Sequence, residues 1–244
     1  MIIYPAIDLR QGRCVRLQQG AFDAETEFAA DPVDAARRWA GEGVSWLHVV
    51  NLDGAIGESS AGNLAALERI LAAVDVPVQF GGGVRTAQDV SELLARGISR
   101  VIIGSVAVTN PQVVRTAIEE HGAEAVAVGI DARNGRVAIH GWAETSTRDA
   151  VSLAREMAAL GVRLIVHTDV HRDGMLSGAN IEACQRLARE AKVKVIASGG
   201  VARLDDVRAA CAAEPDGVTG LIIGMALYRG TLCLAEALRL ATGG

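Results

Sequence analysis

The chain has 244 residues, half of them hydrophobic and few aromatic, enough for a sizeable core in two small domains or one α/β barrel of about 250 residues. Its formal net charge is −5, and Lys and Arg are scattered, which excludes the clustered basic face that nucleic-acid binding needs. Cys14, Cys184, Cys211 and Cys233 stand far apart with no CxxC pair and no metal spacing, so they are expected as buried or partly buried free thiols in a reducing compartment.

The N-terminal MIIYPAIDLRQG opens on a strand-like run without a basic leader, and no apolar run approaches a membrane span. The expectation is a cytoplasmic protein with no signal peptide and no membrane segment. The first strand is read over IIYPAID (2–8). DPVDAARRWAGEGV follows as a helix, with Asp31 as N-cap, Pro32 at the first helical position and Gly43 as its stop. WLHVVNL (46–52) and VPVQF (76–80) are the second and third strands. TAQDVSELLARG then reads as a helix capped by Thr86 and ended by Gly97. RVIIG (100–104) is the fourth strand, and NPQVVRTAIEEHG repeats the helical grammar with Asn110, Pro111 and Gly122.

AVAVGID (125–131) is the fifth strand and STRDAVSLAREMAALG a helix. RLIVHTD (163–169) is the sixth, NIEACQRLAREA a helix, VKVIAS (193–198) the seventh and GLIIG (220–224) the eighth. The strands are Val- and Ile-rich and too short for helices. Strict strand–helix alternation predicts a parallel sheet. At this length it closes into a single (β/α)8 TIM barrel spanning 1–244. An open doubly wound sheet is the alternative, but its GxGxxG fingerprint is absent.

Three echoes divide the chain in two. AIDLRQGR (6–13) matches GIDARNGR (129–136), GGVRTAQDV (82–90) matches GGVARLDDV (199–207), and VIIGSVAV (101–108) matches LIIGMALY (221–228). They keep the same order at nearly equal offsets, as two half-barrels of about 1–122 and 123–244 would. In such barrels the active site lies at the C-terminal strand ends. Gly82, Gly83, Gly199 and Gly200 sit there, as do Gly104, Ser105 and Gly224. Glycine lets backbone N–H groups approach a ligand, and the following helix N-terminus favours an anion. The repeat therefore predicts two phosphate sites and a ligand with a phosphate at each end.

Asp8 and Asp131 end the first and fifth strands, on the other diameter of the ring. Ala6 and Gly129 share their inward face, leaving room for a substrate. An idle charge at the end of an apolar strand is costly. Each Asp alternatively caps a loop or pairs with Arg10, Arg13 or Arg133. Two carboxylates across a substrate suit proton transfer, one taking and one giving. No cofactor motif or metal cluster is present in the sequence, so the reading is isomerisation or related acid–base chemistry with no cofactor and no metal.

At this point PAIDLRQGRCVRLQQG, HVVNLDGA, FGGGVR, VIIGS, GWAETS, HTDVHRDG, ASGGV and IIGMALY together resemble the ProFAR isomerases of histidine biosynthesis, over essentially the whole chain. The resemblance implies a cofactor-independent Amadori rearrangement of a bisphosphorylated ribotide, ProFAR to PRFAR. The expected partner is that small molecule, with no nucleic acid and no membrane, and the expected state is a monomer. It implies Asp8 as general base and Asp131 as general acid. Arg16, His48, Arg85, Trp142, Thr168 and Asp173 are expected as substrate contacts, and Gly178 joins the phosphate-binding glycines. For Trp142 and His48 a packing role in the core remains an alternative, for Thr168 strand packing, and for Arg16 and Arg85 a surface or ion-pairing role.

Three positions depart from the family's pattern: Asn51 for Asp, Met175 for Thr and Met225 for Arg or Lys. They bear on affinity and substrate range. A dual-substrate relative that also isomerises phosphoribosylanthranilate is the near alternative, with GWAE favouring the single-substrate form. The cyclase barrel of the same pathway usually starts Cys-Leu-Asp, where this chain has Ala6-Ile7-Asp8. A non-catalytic phosphosugar-binding barrel is the third.

Overall fold

The computed structural model describes residues 1–19, 21–29 and 31–243. Its strands are β1 (Ile2–Arg10), β2 (Arg13–Gln18), β3 (Ala21–Ala29), β4 (Leu47–Asn51), β5 (Val78–Gly81) and β6 (Arg100–Ile103). β7 (Val126–Arg133), β8 (Arg136–Ile139), β9 (Glu144–Asp149), β10 (Leu164–Asp169), β11 (Lys194–Ser198) and β12 (Val218–Ile223) follow. Eight of these, β1, β4, β5, β6, β7, β10, β11 and β12, pair in parallel, and the ring closes through β12 on β1 and β10 on β7. This is the (β/α)8 barrel that the alternation predicts. Each expected strand is present, its ends moved by two residues or fewer.

The remaining four strands form two hairpins, one on each half. β1 turns into β2 through Gln11 and Gly12, at φ 50° and 77°; β7 turns into β8 through Asn134 and Gly135, at the same angles. Two successive positive φ values make a type I′ hairpin turn. The echoed RQGR and RNGR are therefore the same turn, built twice at the barrel mouth. β9 replaces the first part of the helix expected from Ser146. That helix runs Ala150–Ala159, capped by the Asp149 carboxylate, which accepts from Ser152 N at 3.0 Å.

The helix over Pro32–Gly41 has its expected Asp31 cap, and Thr86 and Asp89 form a reciprocal capping box on Ala87–Ala95. Asn110 is a correction. It follows a separate short helix, Val106–Thr109, and the next one, Gln112–His121, starts after Pro111 without a side-chain cap. Cys233 is a second correction, since it is exposed; Cys14 and Cys184 are buried and Cys211 partly so.

Strand alternation makes two cores. Ile3, Ile7, Phe80, Ile103, Ile130, Ile165 and Val195 face outward under the helices. Tyr4, Ala6, Ile102, Ala127, Val166, Ile196 and Ile222 plug the barrel from inside. That plug stops short of the C-terminal strand ends, where a cavity opens. Among the described residues no helix is long and apolar enough to cross a membrane.

Candidate active site

The cavity at the C-terminal strand ends measures about 620 Å³. Asp8 and Asp131 both line it, above the inward-facing Ala6 and Gly129. Arg16, His48, Arg85, Trp142, Thr168 and Asp173 line it too. So do Gly82, Gly83, Gly104, Ser105, Gly199, Gly200 and Gly224. One pocket thus collects nearly every residue singled out in the sequence.

Asp8 is paired, but with none of the arginines its sequence neighbourhood offers. Arg16, on β2, donates to its Oδ2 at 2.6 Å. A second guanidinium nitrogen bonds the Ala6 carbonyl, and the guanidinium carbon sits 4.9 Å from the centre of the Tyr228 ring. Tyr228 in turn donates to the Ala6 carbonyl at 3.1 Å. Gly224 completes this seat: a Cβ there would lie 2.7 Å from the guanidinium carbon. Gly224 therefore makes room for Arg16 at the end of β12, and Arg16 is buried. Burial raises the Asp8 carboxyl above its ordinary pKa, and the Arg16 charge opposes that rise.

Asp131 has no arginine paired with it among the described residues, and the histidine that acts on it, His167, is buried. The Trp142 indole donates to its Oδ2 at 2.7 Å. Burial raises its pKa, with hydrogen bonds from Thr168 and Trp142 working in the opposite direction. Trp142 therefore belongs to the site and not to the packing core. It is carried on the β8–β9 connection, where His140, Gly141 and Trp142 all have positive φ, 55°, 63° and 69°. Such a run is costly for residues other than glycine, and here it is tied down. Arg133 donates to the Trp142 carbonyl at 2.8 Å, and the His140 N–H donates to Ser105 Oγ at 2.9 Å.

Asp173 is the third carboxylate of the cavity. Burial raises its pKa to about 7, with the Asp8 charge next in size. An acid whose folded pKa lies above its unfolded value favours the fold below about pH 4, and that contribution fades up to about pH 7. The isosteric Asp173→Asn is thus expected to leave stability unchanged near pH 4 and to gain about 2–4 kcal/mol by pH 8. Urea unfolding at the two pH values measures this, and an equal effect at both would contradict it.

The glycine turns repeat in space as they do in sequence. Gly82 and Gly83 have φ 101° and 85°, and Gly199 and Gly200 have φ 89° and 87°. A Cβ on Gly82 would meet the Asn51 carbonyl oxygen at 2.2 Å, and one on Gly199 the Asp169 carbonyl oxygen at 2.8 Å. Asn51 ends β4 and Asp169 ends β10, and an asparagine backs each. Asn63 donates to Asn51 Oδ1 at 2.7 Å, and Asn180 to Asp169 Oδ2 at 2.7 Å. Asn51 also accepts from Gly54 N at 3.0 Å, so it holds the loop after β4 and does not line the cavity.

Gly178 is the site residue that the structure sets apart. Its N–H donates to the Gly200 carbonyl at 2.8 Å, and its own carbonyl lies where a Gly200 Cβ would go. It braces the second glycine turn from behind, and its donor is committed there. Met175 is exposed at 47 % and stands outside the cavity, so it adds no bulk to the site; Met225 lines it.

The match to the model of the histidine biosynthesis proteins covers residues 2–233. The chain belongs to that family. A Moorella thermoacetica relative is 51% identical over 244 residues, covering 100% of both chains. Its printed name is 1-(5-phosphoribosyl)-5-((5-phosphoribosylamino)methylideneamino) imidazole-4-carboxamide isomerase. A Crocosphaera subtropica relative of the same name is 51% identical, covering 97% of this chain and 91% of its own. One from Syntrophomonas wolfei, also so named, is 47% identical, covering 98% of both.

Three further parts of this cavity were not singled out from the sequence. Residues 54–57 form one wall, His140 and Gly141 arch over from the second hairpin, and Ser198 sits at the end of β11. The first two lie on connections whose path only the closed barrel defines.

Proposed function

We propose that this chain isomerises ProFAR, the bis-phosphoribosyl substrate in its relatives' names, to the aminoketose PRFAR. The observation that carries the reading is one cavity holding Asp8 and Asp131 between two matched sets of glycine turns. The paired turns, Gly82 and Gly83 with Gly104 and Ser105, and Gly199 and Gly200 with Gly224, are suited to the two phosphates. The helices after Gly104–Ser105 and Gly224 are short, Val106–Thr109 and Met225–Arg229, so these sites rest chiefly on backbone N–H groups at the turns.

The two carboxylates differ in environment, which supports different roles. Asp8 has the Arg16 guanidinium at 2.6 Å, which favours its carboxylate against the rise from burial and suits it to take a proton. Asp131 is raised by burial too, and the indole of Trp142, a neutral donor, stands where Asp8 has an arginine. Asp131 gives a proton to the ribose ring oxygen as the aminoaldose opens to a Schiff base. Asp8 then removes the proton from the second sugar carbon, giving an enolamine. The first sugar carbon then gains a proton as the hydroxyl on the second carbon loses one, which gives the aminoketose with no net change in atoms or electrons. Thr168 and Trp142 hold Asp131, while Arg16 holds Asp8. Arg85, at the rim beside Gly57, is placed for an anionic group.

The test is turnover of ProFAR by the purified protein, followed by absorbance or by chromatography of PRFAR. Turnover is expected without added cofactor. Absence of turnover, with tight ProFAR binding retained, would replace the enzyme by a binding barrel.

A further inference from the structure

A chain of polar side chains crosses the apolar plug beneath the site. Arg100 enters β6 near the barrel floor, where its guanidinium carbon lies 4.4 Å from the centre of the Trp46 ring and its Nε donates to the Glu124 carbonyl at 3.3 Å. Its Nη1 donates to Gln79 Oε1 at 3.1 Å, a buried bond inside the barrel. The Gln79 amide nitrogen lies 3.0 Å from His48 Nδ1. Gln79 is fully buried, His48 is buried, and the His48 ring lines the cavity floor.

The chemistry of these groups fixes every proton along the chain. A guanidinium has donors and no acceptor, so the Gln79 atom facing Arg100 is its oxygen. The atom facing His48 is then the NH2 group, which only donates, so Nδ1 accepts. Burial, and then the Arg16 charge, lower the His48 pKa to about 3, which leaves the ring neutral near pH 7. A neutral imidazole whose Nδ1 accepts carries its single hydrogen on Nε2. Among the described residues Nε2 has no hydrogen-bond partner.

We infer that Arg100 and Gln79 are positioning residues that lock His48 as its Nε2–H tautomer, so that it offers a ligand oxygen one neutral donor and no base. The ligand oxygen belongs to the sugar phosphate, a step that rests on the isomerase reading. Polar residues inside an otherwise apolar barrel core cost stability unless each is satisfied, and this chain is satisfied up to the one atom at the cavity. His48 is thereby excluded from the proton transfers, which are left to the carboxylates.

The experiment is long-range 15N–1H spectroscopy of ligand-free protein labelled on histidine, with the His48 signals assigned by their loss in His48→Gln. Wild type is expected to show a protonated Nε2 and a bare Nδ1. Gln79→Glu keeps the Arg100 bond but puts an acceptor on Nδ1, so His48 should gain a proton there. Arg100→Lys should preserve the wild-type pattern, and Arg100→Met should mix the two tautomers by freeing the amide to rotate. A wild-type ring protonated on Nδ1 would overturn the inference. So would a variant spectrum unchanged in Gln79→Glu or, if that protein does not fold, in Arg100→Met.

Kinetics then test the donor. Where His48 has lost the locked tautomer, KM for ProFAR should rise about tenfold with a smaller change in kcat, the effect of one neutral hydrogen bond. An unchanged KM overturns the donor role. Failure of the isomerase reading looks different: wild type shows no turnover while the ligand-free ring pattern stands.

Discussion

Asp8→Asn is expected to lower kcat for ProFAR by about 10²–10⁴-fold, the range for loss of one acid–base group. Asparagine keeps the shape and one oxygen for the Arg16 bond at 2.6 Å, but it cannot take a proton from carbon. The buried Arg16 then keeps its Ala6 and Tyr228 contacts and loses its counter-charge. The thermal midpoint must therefore be measured beside the rate, so that activity is compared among folded molecules. A folded Asp8→Asn protein with wild-type turnover would remove Asp8 from the chemistry. Asp131→Asn is expected to fall in the same range while still accepting from the Trp142 indole. Because the two residues serve one reaction, the double variant should be little worse than either single one.

Much of this arrangement could be read from the chain. Buried parallel strands are Val and Ile runs, so the eight barrel strands stood out, and alternation put Ala6, Asp8, Gly129 and Asp131 on the inside. The hairpins did not. β9 reads ETSTRD, with no apolar face to betray a strand, and all of it is at least partly exposed. Missing the hairpin on β1 also hid the partner of Asp8. In that hairpin Asp8 pairs with Val15, which brings the next residue, Arg16, beside it. Arg10 and Arg13 are nearer in sequence and farther in effect. The Asn134–Gly135 pair carried the signal that would have found the second hairpin, since Asn-Gly favours type I′ geometry, and its echo at Gln11–Gly12 pointed to the first.

Roles that depend on the other side of a contact were beyond a sequence reading. Gly178 looks like any ligand-facing glycine until its N–H is seen bonded to Gly200. Asn51 looks like a lost charge until Asn63, Ser60 and Gly54 are found around it. Gln79 and Arg100 gave a faint sign, as polar residues within buried strands.

The second large effect is on the glycine turns. Gly82→Ala and Gly97→Ala both place alanine at nearly the same backbone angle, φ 101° and 103°. Both incur the left-handed cost, roughly 1–2 kcal/mol. At Gly97 nothing lies within 4 Å of the new methyl, so that cost is the whole effect. At Gly82 the methyl would meet the Asn51 carbonyl oxygen at 2.2 Å and the Asn51 nitrogen at 3.0 Å. Asn51 cannot retreat, because Asn63 and Gly54 hold its side chain and β4 holds its backbone. Gly82→Ala should therefore lose on the order of 3 kcal/mol beyond Gly97→Ala in urea unfolding, near the upper end for single substitutions. Gly200→Ala should behave alike, since its methyl would meet the Gly178 carbonyl oxygen at 2.4 Å. In the folded fraction KM for ProFAR should rise for Gly82→Ala and Gly200→Ala, because displaced turns misdirect the N–H groups proposed to hold the phosphates, and stay level for Gly97→Ala. Equal losses at Gly82 and Gly97 would mean that the turns are shaped by backbone angle alone and not by their seat against β4.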